Sequence, residues 1–393
     1  MDLEHRTWPV APQQEAQDKP GFPRDVGWRY DHSTFVREGH LENRTLGNMA
    51  LTRPIAAGEC AITALTCDRR GRIFGATSGK RSHLFVYHPG PGADVVIDIG
   101  TIGEETAVHR ALVATPDGHI IGGTRSLEPR EGYAGGQLFH YQGGDYASEF
   151  GYGHGTIELA TIPVPGEGIA ALTIDPVRGV VYGLSDGSGT LFTCDLAQRE
   201  VKLKSPVDHP GQFSWALIAD REGKVWGARR YGELFCYDPE SDAVTNLKVP
   251  IPSVAGREYY NKVDVFAYDA KSHLIYGSGT ADGLLFCFDP TAKKMISLGK
   301  PVTQPRIRAL TVGADGKVYG IGGDTDGMGH LFVYDPQSRD LRDLGIPYAM
   351  VQNPWHGYEF ECAITGRWGE IYLGESDRIS HLFIYFPPVG ETR

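Results

Sequence analysis

Apolar and polar positions alternate along this chain in short runs, and one apolar phrase keeps returning. It reads HLFVYHP at 83–89, QLFHY at 137–141, TLFTCDL at 190–196 and ELFCYDP at 233–239. It continues as LLFCFDP at 284–290, HLFVYDP at 330–336 and HLFIYFP at 381–387. The leucines stand at 84, 138, 191, 234, 285, 331 and 382, so successive copies lie 43 to 54 residues apart. Upstream of each comes an apolar run, a tight turn and a second strand pattern closing on glycine. Examples are ITALTCDRRGRIFG at 62–75, RALVATPDGHIIGG at 110–123 and RALTVGADGKVYG at 308–320. DG, RG and EG between alternating apolar runs are hairpin signals. Most copies are followed by a further apolar stretch, such as DVVIDIG at 94–100 or KKMISLG at 293–299. Each unit therefore predicts four antiparallel strands, A to D, in a meander.

Seven such units predict an all-β chain folded as a seven-bladed β-propeller with four-stranded blades, each burying its faces against its neighbours. The last unit supplies strands A, B and C and ends at HLFIYFPPVGETR, without room for D. HLENRTLGNM at 40–49 resembles the D pattern KKMISLGKPV at 293–302, so an N-terminal strand is expected to complete the last blade and close the ring. Residues 1–38 carry prolines and no repeat and are expected as an arm, with the propeller spanning 39–393.

Composition agrees with short strands and tight turns: 51 of 393 residues are glycine, with 19 Tyr and 16 Phe. The formal charge of −11 argues against nucleic acid or an anionic membrane surface as the partner. No apolar run reaches the roughly 18 residues that a membrane helix needs. The first residues, MDLEHRTWPVAPQQEAQ, lack the apolar stretch of a signal peptide, so the cytoplasm is the expected location. The cysteines at 60, 67, 194, 236, 287 and 362 form no CxxC pair and sit mostly in strand patterns, so they read as reduced core residues.

Chemistry is expected where the A strands line the central channel. Aligning them on their turns gives the column Thr63, Arg110, Ala170, Trp215, Asp264, Arg308 and Glu361. Four charges in so confined a row need either mutual neutralisation or a ligand. A second column opens strand C: His83, Gln137, Thr190, Glu233, Leu284, His330 and His381. Blades 6, 7 and 1 become adjacent on closure, so His83, His330 and His381 could converge on a divalent metal (Mn, Zn or Ca), supply acid–base groups, or merely cap loops. Other polar residues on this rim are Arg125, Arg229, Arg230, Tyr231, Arg257, Tyr259, Tyr260, Trp355, His356 and Tyr358. Arginine pairs with carboxylates and aromatic rings stack on sugars. Trp215, Arg230, Tyr260, Asp264, His356 and Glu361 are accordingly the expected substrate contacts. His88, His140 and His273 face away from this rim and read as structural.

The repeat over residues 40–388 and its polar columns resemble the seven-bladed β-propeller polysaccharide lyases: ulvan, rhamnose–glucuronate and oligogalacturonate lyases. Such lyases place histidine at the starts of strands A and C, with Tyr and Arg in a neighbouring blade. Glu361 to His381 and Thr63 to His83 fill the A-to-C relation here, and His109 to Arg125 fills an A-to-B relation in blade 2. Thr63 and Glu361 stand where that pattern has histidine. The resemblance implies β-elimination at a uronic acid in an acidic oligosaccharide or polysaccharide, with no required cofactor or with a divalent metal. Arg110, Arg125 and Arg308 would neutralise the carboxylate, His83 or His381 would be the base, and Tyr231 the acid. A metal-dependent hydrolase or isomerase acting on sugars, or a non-catalytic propeller that binds a glycan or a protein, are the other classes this sequence admits.

Overall fold

The structure, a computed structural model, describes residues 36, 38–46, 55–89, 96–142, 155–175, 177–195, 200–324, 327–349 and 355–388. The expected arm at 1–38 lies almost wholly outside them. Seven four-stranded antiparallel sheets follow one another as the sequence pattern requires. In blade 1 the strands are Ala61–Cys67, Ile73–Ser78, His83–Tyr87 and Val96–Thr101. Blade 7 is built from Phe360–Thr365, Ile371–Glu375 and His381–Phe386, and its outer strand is His40–Thr45. That N-terminal strand runs antiparallel to the last one, from His40 opposite Phe386 to Thr45 opposite His381. The ring is closed in the way the sequence predicted.

The recurrent Leu-Phe pair is explained by packing. Blades stack face to face, so successive residues of strand C point into two different apolar layers and both are buried. Every such leucine and phenylalanine is no more than 3% exposed, from Leu84–Phe85 round to Leu382–Phe383. The glycine expected to close strand B lies within it instead and answers that phenylalanine. Gly75, Gly183, Gly227, Gly277 and Gly320 each stand directly opposite the Phe of strand C. The ring lies across the glycine so closely that a Cβ at Gly75 would fall 2.1 Å from Phe85 Cζ. Blade 7 departs from this, with Leu373 opposite Phe383 and Gly374 opposite Leu382. The Asp-Pro ending the phrase starts the C-to-D turn: Asp289 Oδ1 accepts the Thr291 and Ala292 amides, and Asp335 Oδ1 accepts those of Gln337 and Ser338.

All six cysteines are free. No helix among the described residues is long and apolar enough to cross a membrane.

Candidate active site at the channel mouth

Blade 2 breaks the regularity of the ring. Its strand A is only Leu112–Ala114, against six or seven residues in every other blade. Residues 107–110 leave the ladder, held by an isolated bridge between Ala107 and Arg125. Arg110 sits at φ +52°, a left-handed conformation that costs a non-glycine residue on the order of 1–3 kcal/mol. This detour turns His109 and Arg110 into the channel.

Arg110 then reaches across to three other blades. Its guanidinium donates to the Asp264 carbonyl oxygen and, at 3.0 Å, to the Arg308 carbonyl oxygen. It also lies 3.4 Å from Asp264 Oδ1 and 3.3 Å from Glu361 Oε2. Arg308 pairs with the other oxygen of Glu361. Arg306, outside that aligned column, grips Asp264 with two hydrogen bonds of 2.8 and 3.0 Å. Arg306 and Arg308 are two apart, so both face the channel, and that spacing was available in the sequence. Burial raises the Glu361 carboxyl, but His109, Arg110 and Arg308 outweigh it and bring it down to about 2. The charged column is thus a cross-braced, self-neutralising ring. The expectation that Arg110 and Arg308 stand ready to neutralise a substrate is corrected: Glu361 and Asp264 already occupy them. Further along the A strands the channel is a cavity of about 200 Å³, walled by Leu65, Leu112, Leu217, Phe266 and Leu310.

Beside the ring, Trp215 joins two groups that differ from it. The Arg125 guanidinium stacks 4.4 Å from the indole, and the His109 ring meets the same indole edge-on at 6.0 Å. Arg125 Nε and Nη1 and His109 Nδ1 are buried without a hydrogen-bond partner, as is Arg110 Nε in the ring; buried polar groups left in this way call for a ligand, an ion, ordered water or strain to account for them. His109 Nε2 lies 3.5 Å from Glu361 Oε2. Burial lowers the His109 pKa, Arg110 and Arg125 lower it further, and Glu361 opposes them without prevailing. The ring is therefore neutral at pH 7. With its Nε2 proton on the Glu361 side, the Nδ1 lone pair is left open, which is the form a general base needs. Burial lowers the Arg125 pKa, and the charge of Asp186 and then of Tyr133 opposes it; the Tyr133 hydroxyl donates to Glu105 at 3.3 Å. Burial and Glu105 push the Tyr133 pKa up, so it keeps its proton. Tyr133 and Glu105 come from loops of blade 2, where no sequence pattern marked them.

The histidines of the second column do not converge, and the metal expectation for His83, His330 and His381 is corrected. His83 Nδ1 is 3.2 Å from both oxygens of Asp98 and its Nε2 is 3.1 Å from Glu59 Oε2. Burial opposes protonation there, but Asp98 and Glu59 outweigh it and raise its pKa, and both ring nitrogens are turned to carboxylates rather than to a substrate. His330 Nδ1 pairs with Asp343 at 2.9 Å. His381 is fully buried, 2.8 Å from Glu375 and covered by Trp355, out of reach of any substrate. Among the described residues no group of three or more His, Cys, Asp or Glu side chains is arranged to hold a metal. The column follows from the D strand: Asp98 and Asp343 lie two residues before its closing glycine, accept that glycine's amide, and face the histidine heading strand C.

Tyr231 and Tyr260, expected as acid and as a stacking platform, belong to a separate rim cluster. Tyr231 meets Tyr259 edge-on at 5.5 Å, and Tyr260 is largely exposed. Arg230 lies 3.5 Å from Asp208. His356 stacks on Tyr348 at 4.3 Å.

No known family's sequence profile matches this chain. A tricorn protease homolog of Saccharolobus solfataricus is 27% identical over 150 residues, 37% of this chain and only 14% of the longer protein. Among solved structures, a streptogramin B lyase superposes with a TM-score of 0.64 at 9% identity, covering 89% of this chain and 99% of its own. Virginiamycin B lyase from Staphylococcus aureus gives 0.61 at 10% identity, covering 90% and 100%. The extracellular domain of a hybrid two-component system from B. thetaiotaomicron gives 0.62 at 15% identity, covering 87% of this chain and 39% of that one. At these identities the likenesses show a propeller and not a chemistry, and none of these proteins is named as a polysaccharide lyase.

Proposed function

We propose that the channel mouth is the active site of a carbon–oxygen lyase whose substrate carries a carboxylate, a uronic-acid residue of an oligosaccharide being the class that fits. One observation carries this reading: a buried guanidinium with two unpartnered N–H donors beside a neutral imidazole with an open lone pair, both held by Trp215. Arg125 binds the carboxylate and spreads the charge that builds on it. His109 Nδ1 removes the proton on the adjacent carbon. The electron pair forms the carbon–carbon double bond as the carbon–oxygen bond to the leaving group breaks. Tyr133, kept protonated, returns a proton to the leaving oxygen. Glu361 holds the imidazole ring in its base tautomer. The ring arginines take no direct part.

The test is near-ultraviolet absorbance of an unsaturated uronate on a panel of uronic-acid oligosaccharides and polysaccharides. Arg125→Gln and His109→Gln are each expected to lower turnover on the order of 100-fold or more, with melting temperatures close to the parent's. Absence of the absorbance on every substrate, or full activity in Arg125→Gln, refutes the reading.

A further inference from the structure

On the opposite end of blade 2 lies a histidine pair that this mechanism does not use. His119 opens strand B and His140 stands in strand C, one register step apart on the same face. Their rings stack with centroids 4.7 Å apart, and His119 Nδ1 faces His140 Nε2 at 2.5 Å. The two outer nitrogens face carboxylates: His119 Nε2 is 3.6 Å from Asp117 Oδ2, and His140 Nδ1 is 3.9 Å from Glu158 Oε2. One cavity of about 240 Å³ collects all four side chains against Ile121, Leu138 and Phe139.

One N–H facing one lone pair would make an ordinary hydrogen bond, but with both N–H groups turned outward to Asp117 and Glu158 the two inner nitrogens carry lone pairs, which repel unless a positive species lies between them. A shared proton would serve, and so would a metal ion. The outer carboxylates distinguish the two. Histidines that bind a metal through one nitrogen characteristically present the other to a carboxylate, which fixes the ring and strengthens it as a ligand. Here both rings do so, in mirror fashion.

The geometry points to a transition-metal site, with His119 Nδ1 and His140 Nε2 as ligands and Asp117 and Glu158 as the groups that orient them. Imidazole donors suit Zn, Cu(II) and Ni(II) and not Mg or Ca. Bonds of about 2.0–2.1 Å on such an ion require the nitrogens to stand at least about 2.9 Å apart, a small opening for two partly exposed rings. Since no third His, Cys, Asp or Glu among the described residues completes the set, water or a small ligand in the cavity fills the remaining positions.

Full-length protein stripped with a chelator and titrated with zinc by equilibrium dialysis tests this, together with paramagnetic resonance of the copper(II) form. One zinc per chain is expected, and the copper spectrum shows two imidazole nitrogens. His119→Gln and His140→Gln each abolish both signals. Asp117→Asn, which leaves both ligands in place, weakens zinc affinity about tenfold. His40→Gln, an exposed histidine on blade 7, leaves binding unchanged. No zinc retained at millimolar metal, or binding that survives His119→Gln with His140→Gln, overturns the assignment and leaves the pair as a proton-sharing contact.

Discussion

Glu361→Gln removes one charge from the channel ring and keeps the side chain's shape. The carboxyl is mostly buried and stands at about 2 in the fold against an ordinary 4.5. That difference corresponds to about 3 kcal/mol of stability at neutral pH. The variant also leaves Arg110 and Arg308 short of a counter-charge, so a loss of about 3–5 kcal/mol is expected at pH 7. For a chain of this size that is a fall of about 4 °C or more in melting temperature. The sign with pH follows from the lowered value. The stabilisation is fully present above the unfolded carboxyl's range and is lost as pH falls through the folded one. The gap between parent and variant therefore narrows as pH is lowered from about 5 toward 2. Urea unfolding followed by tryptophan fluorescence at pH 7, 5, 4 and 3 measures it. A gap below about 1 kcal/mol at pH 7, the size of an exposed pair, refutes the ring as a stabilising brace. A gap equal at pH 7 and pH 3 refutes its electrostatic origin.

Other outcomes follow from the same geometry. His83→Gln costs more stability at pH 5 than at pH 9, because the raised His83 pKa makes its contribution full below the ordinary histidine range and lost as pH rises through the folded value; equal losses by urea unfolding at both pH values count against it. Gly75→Ala drives a Cβ into the Phe85 ring and is expected to cost about 1–3 kcal/mol, part of which Phe85→Leu restores in the double variant; strictly additive losses contradict the packing account. Burial pushes the thiols of Cys67 and Cys287 up to about 11 and that of Cys236 up to about 12, so a thiol reagent reacts slowly with the native chain and with six cysteines after unfolding. If lyase activity is found, its acid limb lies below the ordinary histidine range, since His109 is lowered, and a limb at or above that range excludes His109 as base.

The fold was open to reading because the same constraints recur from blade to blade. A face-to-face stack demands an apolar pair in strand C, and in six blades the phenylalanine of that pair lies across a glycine opposite it. Leu-Phe survives in all seven divergent copies, and the glycine opposite the phenylalanine in all but blade 7. The charged column was equally visible, since aligning the seven A segments on their turns puts Arg110, Asp264, Arg308 and Glu361 in one row. What the column could not reveal was how the charges are satisfied: that depends on Arg110 adopting a left-handed backbone and crossing the channel. The histidine column misled for a similar reason. Its partners, Asp98 and Asp343, are fixed by a shift of register in the D strand, and register between strands is a three-dimensional fact. A trace of it was nonetheless present, since Asp-x-Gly closes strand D in blades 1 and 6, where histidine heads strand C. Tyr133 and Glu105 come from loops, whose shape no periodicity encodes.

Ring closure by His40–Thr45 against His381–Phe386 also dictates an order of events during synthesis. Among the described strands, the first to be made pairs with the last, so it waits for that partner through the making of all seven blades. Until then blade 1 lacks its neighbour: Ile62 has no Cys362 to pack on, and Cys60 no Arg378 carbonyl to meet. Nascent chains therefore carry two sticky ends, an orphan strand and an uncovered blade face, and these can be satisfied by another copy as readily as by their own. Moving the chain ends to a loop between two complete blades would remove that wait, leaving every blade local in sequence. Such a permutant is expected to match the parent's final stability while refolding faster and aggregating less.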